Sequence, residues 1–197
     1  MTIQSRNTQT AYTVDYVVRI IAGEFRSRVL KTLPGMALRP TSDRLRETLF
    51  NILGPPVKGS VFLDCYAGSG AVGLEALSRG AVQAIFLEQS KDALVVLRKN
   101  IEALGVAGRT KVIEGPVRKA IRKVDGDITF LDPPYAAVEE YEQTLAALAA
   151  SGTGALIVVE HAARMVLPVP VGLHLTRLKR QGDSALSFFV AKKIATG

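Results

Sequence analysis

Thiols are nearly absent from this chain, with Cys65 the single cysteine in 197 residues. One thiol excludes an intramolecular disulfide and leaves no set of sulfur ligands for a structural zinc ion. Histidine is scarce too. His161 and His174 stand at no spacing that makes a ligand pair, so no metal is expected. No apolar run approaches the roughly 18 residues that a membrane-spanning helix needs, and the N-terminal stretch has no apolar signal core. Both absences predict a cytoplasmic protein without a membrane partner. Internal repeats and low-complexity tracts are missing as well, and residues 1–13, MTIQSRNTQTAYT, are polar and patternless, as in a mobile tail.

What the chain does have is apolar residues, 48% of the total, enough to bury one substantial core beside a small appendage. It also has positive charge, a formal +7, and the charge is unevenly placed. Residues 1–50 hold eight Lys or Arg against four Asp or Glu, and residues 164–197 hold six against one. The span 51–163 holds eleven against thirteen, so a nearly neutral middle lies between two basic ends. That distribution fits a polyanionic partner better than net charge alone does.

The segments VVRIIAG (17–23) and SRVLKTL (27–33), separated by Glu24-Phe25-Arg26, read as a β-hairpin carrying Arg19, Arg26, Arg28 and Lys31. After Arg39-Pro40, Thr41 or Ser42 can cap a helix reaching Leu53, with Leu45, Leu49, Ile52 and Leu53 on one face and Arg44 and Arg46 on others. Gly54-Pro55-Pro56 stops it. From residue 60 short apolar strands alternate with helices: SVFLD, AVGLEALSRG, AIFLE, a helix over 90–104, TKVIEG, DITFLD, a helix around 138–150, and ALIVVE. Strands apolar on both faces and joined by helices predict an α/β fold with a parallel sheet covered on both sides. LHLTRLKR (173–180), the turn Gln181-Gly182-Asp183 and ALSFFVAKK (185–193) predict an antiparallel hairpin at one edge.

Ligands of such sheets bind beyond the carboxyl ends of the strands. There the chain places Asp64, then Ala67-Gly68-Ser69-Gly70 opening a helix. A G-x-G turn at a helix N-terminus also cradles pyrophosphate in dinucleotide enzymes. Asp64 would repel a pyrophosphate, yet it suits S-adenosylmethionine, which carries an ammonium group and a sulfonium. Glu88, ending the next strand and followed by Gln89, is placed to accept ribose hydroxyls. The plainer alternative is that both acids simply cap the helices that follow them. Cys65 reads as a small apolar residue of the same turn.

The strand DITFLD runs into Pro133-Pro134-Tyr135. An exocyclic amine on a nucleic-acid base is a poor nucleophile because its lone pair is delocalised into the ring. Asp132 and the Pro133 carbonyl can each accept one N–H, favouring the tetrahedral nitrogen that attacks a methyl in line. Pro134 stiffens the turn without sacrificing a needed donor, and Tyr135 can stack on the base. A rigid loop exit without chemistry is the alternative. Carbon-5 methylation of a pyrimidine needs a cysteine nucleophile beside these prolines, and the chain has none there.

VRIIAGEFRSRVLK, LRPTSDRLRETLFNIL, FLDCYAGSGAVGLEALSRGA, LDPPY and QGDSALSFF together resemble the RsmD family, the bacterial small-subunit rRNA guanine-N2 methyltransferases. The likeness runs from about residue 17 to 192. It implies a class I, Rossmann-like methyltransferase fold: a mostly parallel seven-stranded sheet with an antiparallel C-terminal hairpin, preceded by a small N-terminal β-hairpin. Residues 14–41 would be that extension and 42–197 the methyltransferase domain. It also implies that Asp64, Gly68 and Gly70 approach the methionine part of S-adenosylmethionine, that Glu88 holds the ribose, and that Arg39-Pro40-Thr41 closes over the ligand. Asp132 to Tyr135 would receive a guanine amino group of 16S rRNA, free or in a small-subunit particle, with the enzyme a monomer. The chain departs from the family after the third strand of the sheet, reading Glu114-Gly115-Pro116-Val117 where a side-chain acceptor for adenine is common. Pro116 has neither such an acceptor nor an N–H, which leaves the Val117 amide or a group elsewhere in the chain.

Arg19, Arg26, Arg28, Lys31, Arg44 and Arg46 are then expected to grip phosphates beside the pocket. Arg177, Lys179, Arg180, Lys192 and Lys193 would do likewise, or would only be solvated edge-strand charges. Two other functions fit parts of the pattern. An adenine-N6 methyltransferase of DNA or RNA would use the same Asp-Pro-Pro-Tyr turn, although no segment reads as the separate target-recognition domain that a sequence-specific DNA enzyme usually carries. A non-catalytic RNA-binding protein on this scaffold would not need Asp64, Glu88 and Asp132 together.

Overall fold

The computed structural model describes residues 17–33, 42–134, 136–151 and 156–191. Strands β1 (Val18–Arg19) and β2 (Val29–Leu30) are followed by α1 (Asp43–Leu53). Ser42 caps α1, its hydroxyl accepting the Leu45 N–H at 3.2 Å. β3 (Val61–Cys65), α2 (Ala71–Ser78), β4 (Gln83–Glu88), α3 (Lys91–Leu104) and β5 (Thr110–Glu114) come next. They are followed by α4 (Val117–Ala120), β6 (Ile128–Leu131), α5 (Val138–Ser151), β7 (Leu156–Ala162), β8 (Leu173–Gln181) and β9 (Ser184–Ala191). Among the described residues no helix is long and apolar enough to cross a membrane.

The seven-stranded sheet has the order β5-β4-β3-β6-β7-β9-β8. Its first five strands run parallel, and β9 pairs antiparallel with both β7 and β8. The expected mostly parallel sheet with a reversed terminal hairpin is therefore present. Successive side chains of a strand face opposite sides, so each buried strand feeds two cores. Phe62, Phe86, Phe130 and Phe188 pack with Leu49 of α1, Leu74 of α2 and Leu97 of α3 on one side. Leu63, Leu131, Val159 and Phe189 pack with Tyr141 and Leu145 of α5 on the other. The order turns back between β3 and β6, and Asp132 N donates to Cys65 O at 3.4 Å across that point. A crevice beyond the carboxyl ends is expected at such a switch.

Two expectations need correction. The N-terminal hairpin is much shorter than residues 17–33 allow, because only Val18↔Leu30 and Arg19↔Val29 pair. Beyond them Ile20 N donates to Arg28 O and Ser27 N to Ile20 O, and the rest of the loop turns onto α2. The Ile21 and Ala22 N–H groups donate to the Glu75 carboxylate at 2.7 and 3.1 Å, and Glu24 N donates to Ser78 O at 2.8 Å. Gly23 permits this approach, since a Cβ there would lie 1.8 Å from Ser78 O and its φ is +86°. The segment between β5 and β6 also contains a short helix, α4, running into a 3₁₀ turn over Ile121–Lys123, where no element was expected.

Candidate functional site

The turn between β3 and α2 is tied down to β4 and to α3. Tyr66 N and Ala67 N donate to Leu87 O of β4 at 3.0 and 3.1 Å, and Gly68 N donates to Glu88 Oε2 at 2.7 Å. From α3, the Asn100 side-chain amide donates to Ser69 O at 2.9 Å. The two glycines of the turn serve different ends. Gly68 has φ +55°, and no atom of the described residues lies within 4 Å of where a side chain would point, so those residues leave its backbone open to a ligand. Gly70 has φ +82°, which any side chain would strain, and a Cβ there would also lie 2.4 Å from Leu97 Cδ1, so Gly70 is glycine for its backbone conformation and close helix packing.

Asp64 is 2% exposed, and its Oδ2 accepts the Gly73 N–H at 2.8 Å. Gly73 is the third residue of α2, whose N-cap Gly70 offers no side-chain acceptor. Asp64 thus supplies the missing cap, as the plainer reading of this acid anticipated. Burial pushes its carboxyl up from 3.8 to about 8, the Gly73 hydrogen bond works against that rise, and the neighbouring charge of Glu88 adds to it. A proton on Asp64 therefore stabilises the fold most at acid pH, and this contribution is lost as the pH rises from about 4 through about 8. An added cation at this carboxylate would reverse the preference.

Glu88 lies at the tip of β4, and its carboxylate receives three backbone donors. Oε2 accepts from Gly68 N at 2.7 Å, while Oε1 accepts from Gln89 N and from Ser90 N, each at 2.8 Å. A carboxylate has about four lone-pair positions, so one further donor can be accommodated, on Oε2. Pro116 and Val117 start α4 next to it, where Gly115 N donates to Glu88 O at 2.9 Å. Pro116 O is occupied by the Lys119 and Ala120 N–H groups.

Asp132 follows β6 directly and is partly exposed. The Pro133 carbonyl accepts the buried Tyr141 hydroxyl at 3.0 Å, leaving one lone pair for another donor. Phe62, Phe86, Phe130 and Val158 share one core, and two residues after each of them stands an acid: Asp64, Glu88, Asp132 and Glu160. Strand alternation therefore brings four carboxylates over one face at the carboxyl rim, on the adjacent strands β4, β3, β6 and β7. Asp64, Glu88 and Glu160 are buried, and Asp132 is the most open of the four. The rim thus joins a glycine turn with open space beside Gly68 to an acid and a carbonyl suited to accepting N–H groups.

The profile of the family described as "Conserved hypothetical protein 95" matches residues 18–190. Ribosomal RNA small subunit methyltransferase D of Escherichia coli strain K12 is 39% identical over 178 residues, 87% of this chain and 89% of that protein. The chain belongs to the RsmD family of methyltransferases. A second RsmD relative, Ribosomal RNA small subunit methyltransferase D of Haemophilus influenzae, is 43% identical over 123 residues, 60% of this chain and 64% of that protein. The solved structure of yhhF from Escherichia coli aligns with a TM-score of 0.77 at 38% identity, covering 90% of this chain and 99% of that one. An RNA methyltransferase from Salinibacter ruber in complex with S-adenosyl-L-homocysteine shares the fold, with a TM-score of 0.62 at 15% identity over 81% of this chain and 98% of that one.

Within this RsmD family member, Arg46 does not fit the phosphate-gripping role expected of it. Its side chain is fully buried beneath α1. The guanidinium donates to Arg19 O and Asp43 Oδ1 and lies 3.9 Å from Glu75 Oε2. Position 46 precedes Leu49, Phe50 and Leu53 by three, four and seven residues, which is the helical spacing of the core face. Arg19, Arg26, Arg28, Lys31 and Arg44 are exposed, although Arg28 also donates to Ala103 O at 3.1 Å. Arg177, Lys179 and Arg180 stand exposed along β8. Arg39, Pro40, Thr41, Tyr135, Lys192 and Lys193 lie outside the described residues.

Three residues near the site went unnoticed in the sequence. Glu160 carries the same signal as the other acids, a carboxylate closing an apolar strand. Asn100 gave no such signal: it lies in the middle of a helix, and its amide binds both Lys31 N and Lys31 O while holding Ser69 O. Tyr141 reads as an ordinary apolar-face residue of α5. Cys65 is buried, and burial raises its thiol well above the ordinary range, so it stays protonated.

Proposed function

We propose that this protein transfers the methyl group of S-adenosylmethionine to the exocyclic N2 amino group of a guanine in 16S rRNA, acting in the cytoplasm. The observation that carries the reading is the meeting of two sites at the β3–β6 switch point. Asp64, the open Gly68 backbone and Glu88 stand on one side, and Asp132 with the Pro133 carbonyl stands on the other. The donor set suits the cofactor: among the described residues no cation pairs with the buried Asp64 carboxyl, a place an ammonium group would fill, and Glu88 Oε2 can accept a ribose hydroxyl. When bound, S-adenosylmethionine supplies an electrophilic methyl on a sulfonium.

In this reading the chain's own groups do the rest. Asp132 accepts one N–H of the target amine and the free lone pair of Pro133 O accepts the other, drawing the nitrogen lone pair out of conjugation. The proton released from the methylated nitrogen passes to Asp132 or to water. Tyr135 stacks on the base, and Arg19, Arg26, Arg28, Lys31 and Arg44 hold flanking phosphates.

Incubation with labelled cofactor and small-subunit particles, naked 16S rRNA or DNA, followed by mass spectrometry of the nucleosides, tests the assignment. N2-methylguanosine from rRNA is the expected product. N6-methyladenosine would establish the competing substrate assignment, because the Asp-Pro-Pro turn serves either amine.

The raised Asp64 carboxyl gives a second test. Pairing with an ammonium returns the carboxyl to its charged form, so cofactor binding at pH 7 should release close to one proton. Titration calorimetry in two buffers of different ionisation enthalpy measures that number directly. Asp64→Asn should release none, and an unchanged proton count in the variant would place the ammonium elsewhere.

A further inference from the structure

The loop that holds the methyl donor and the loop that holds the amine are both hydrogen-bonded to the same stretch of α5. From the donor side comes Tyr66, one of two described non-glycine residues with a positive φ, here +65°. A left-handed backbone at an aromatic residue is unfavourable and persists only where its surroundings impose it. Here the phenol crosses to α5, donates to Glu140 Oε2 at 2.9 Å and lies 2.8 Å from Thr144 Oγ1. A phenol has one proton, and the carboxylate can only accept, so the Thr144 hydroxyl is the donor in the second bond. Burial holds the Tyr66 phenol in its neutral, donating form, against the Thr144 bond and with the help of Glu140.

From the acceptor side comes Pro133, whose carbonyl accepts the Tyr141 hydroxyl at 3.0 Å. A second, longer approach of the same hydroxyl, 3.3 Å to Glu160 O, ties in the neighbouring strand β7. Tyr141 and Thr144 are fully buried. Residues 140, 141 and 144 span barely more than one helical turn, about 6 Å of rigid axis. With both loops fastened to one turn, neither can shift against the other without breaking a hydrogen bond to α5.

We propose that this turn of α5 is the gauge that sets the separation and angle between methyl donor and acceptor amine, with Tyr66 and Tyr141 as its two positioning residues. Tyr141 also directs chemistry at a stated atom. By taking one lone pair of Pro133 O it leaves the other as the amine's acceptor, pointing in a fixed direction. This inference rests on the reading of Asp132 and Pro133 as the amine-holding groups. Neither tyrosine need touch the cofactor or the base, so their loss should be felt in the rate of transfer and not in binding. In-line transfer is sensitive to misplacement, with an error of about 1 Å costing on the order of 100-fold.

The test compares the full-length wild type with Tyr66→Phe, Tyr141→Phe and Asp132→Ala in one methyl-transfer assay on small-subunit particles and rRNA, with cofactor affinity and thermal stability measured alongside. Each phenylalanine variant keeps its ring and should lose about 10-fold or more in kcat, while KM for S-adenosylmethionine and RNA affinity stay within about twofold. A residue that only supports the fold would lower the melting temperature and leave kcat, assayed well below it, unchanged. Should Tyr141→Phe fold poorly, Thr144→Val reads the same alignment from the helix side of Tyr66. Full kcat in the tyrosine variants with an inactive Asp132→Ala would overturn the gauge and keep the site. An active Asp132→Ala would remove the site itself, and the gauge with it.

Discussion

Asp132→Ala should lower methyl transfer by on the order of 1000-fold while S-adenosylmethionine binds as tightly as to the wild type. The separation of the two effects follows from position. Asp132 lies beyond the last residue of β6, partly exposed, on the far side of Cys65 from the Gly68 turn and Glu88. In the proposed reaction its work is done only as the amine nitrogen becomes tetrahedral and positive, when a carboxylate gains far more than it does against the flat, neutral amine. Removing one preorganised group aimed at developing charge typically costs about 100- to 1000-fold, and the expected loss lies at the upper end because water can still take the released proton. Asp132→Asn keeps an acceptor oxygen and loses the charge, so an intermediate loss of about 100-fold is expected. Single-turnover rates with labelled cofactor, set beside calorimetric cofactor affinity, measure the two quantities apart. A variant that transfers normally would show that the amine is held elsewhere.

Glu75→Ala should destabilise the fold strongly, costing about 3–5 kcal/mol. The Glu75 carboxylate is fully buried and collects four groups from three segments. It accepts Ile21 N at 2.7 Å, Ala22 N at 3.1 Å and Arg79 Nε at 2.7 Å, with Arg46 Nε 3.9 Å away. Its removal takes the carboxylate from the Arg79 Nε–H and from two backbone donors and leaves less negative charge beside the buried Arg46 guanidinium, and the cost of breaking a buried charge cluster is large. A midpoint drop of roughly 10 °C is expected for a chain of this size. The hairpin should also loosen first, so trypsin should cleave after Arg26 or Arg28 faster than it does in the wild type. Thermal and urea melts with timed proteolysis check both expectations. A loss below about 1 kcal/mol would falsify the view that this cluster fastens the appendage.

How far the fold and site could be read in advance varied with the range of the interactions. The parallel sheet, its helices and the closing hairpin were legible because they follow from local patterns: apolar runs of strand length, capping serines before α1 and α3, and glycines after the helices. Gly68, Asp64, Glu88 and Asp132 were legible for the same reason, each standing at the end of its own strand or in a turn. Glu160 closes its strand in the same way and was passed over because no motif surrounded it. Arg46 was misplaced because its charge was given more weight than its spacing from Leu49, Phe50 and Leu53.

Local pattern in the chain by itself determined that Asp64, the Gly68 turn, Glu88 and the Asp132-Pro133-Pro134 turn would all lie at the carboxyl rim of a parallel sheet. Tertiary structure alone decided which charges would be buried, how little of the N-terminal hairpin would pair with itself, and that Tyr66, Asn100 and Tyr141 would brace the loops of the site. Glu75 meets Ile21 across 54 positions, and Tyr66 meets Thr144 across 78. Hydrogen bonds between such distant residues have no period and no neighbouring signature, so they exist only once the sheet has brought the helices together.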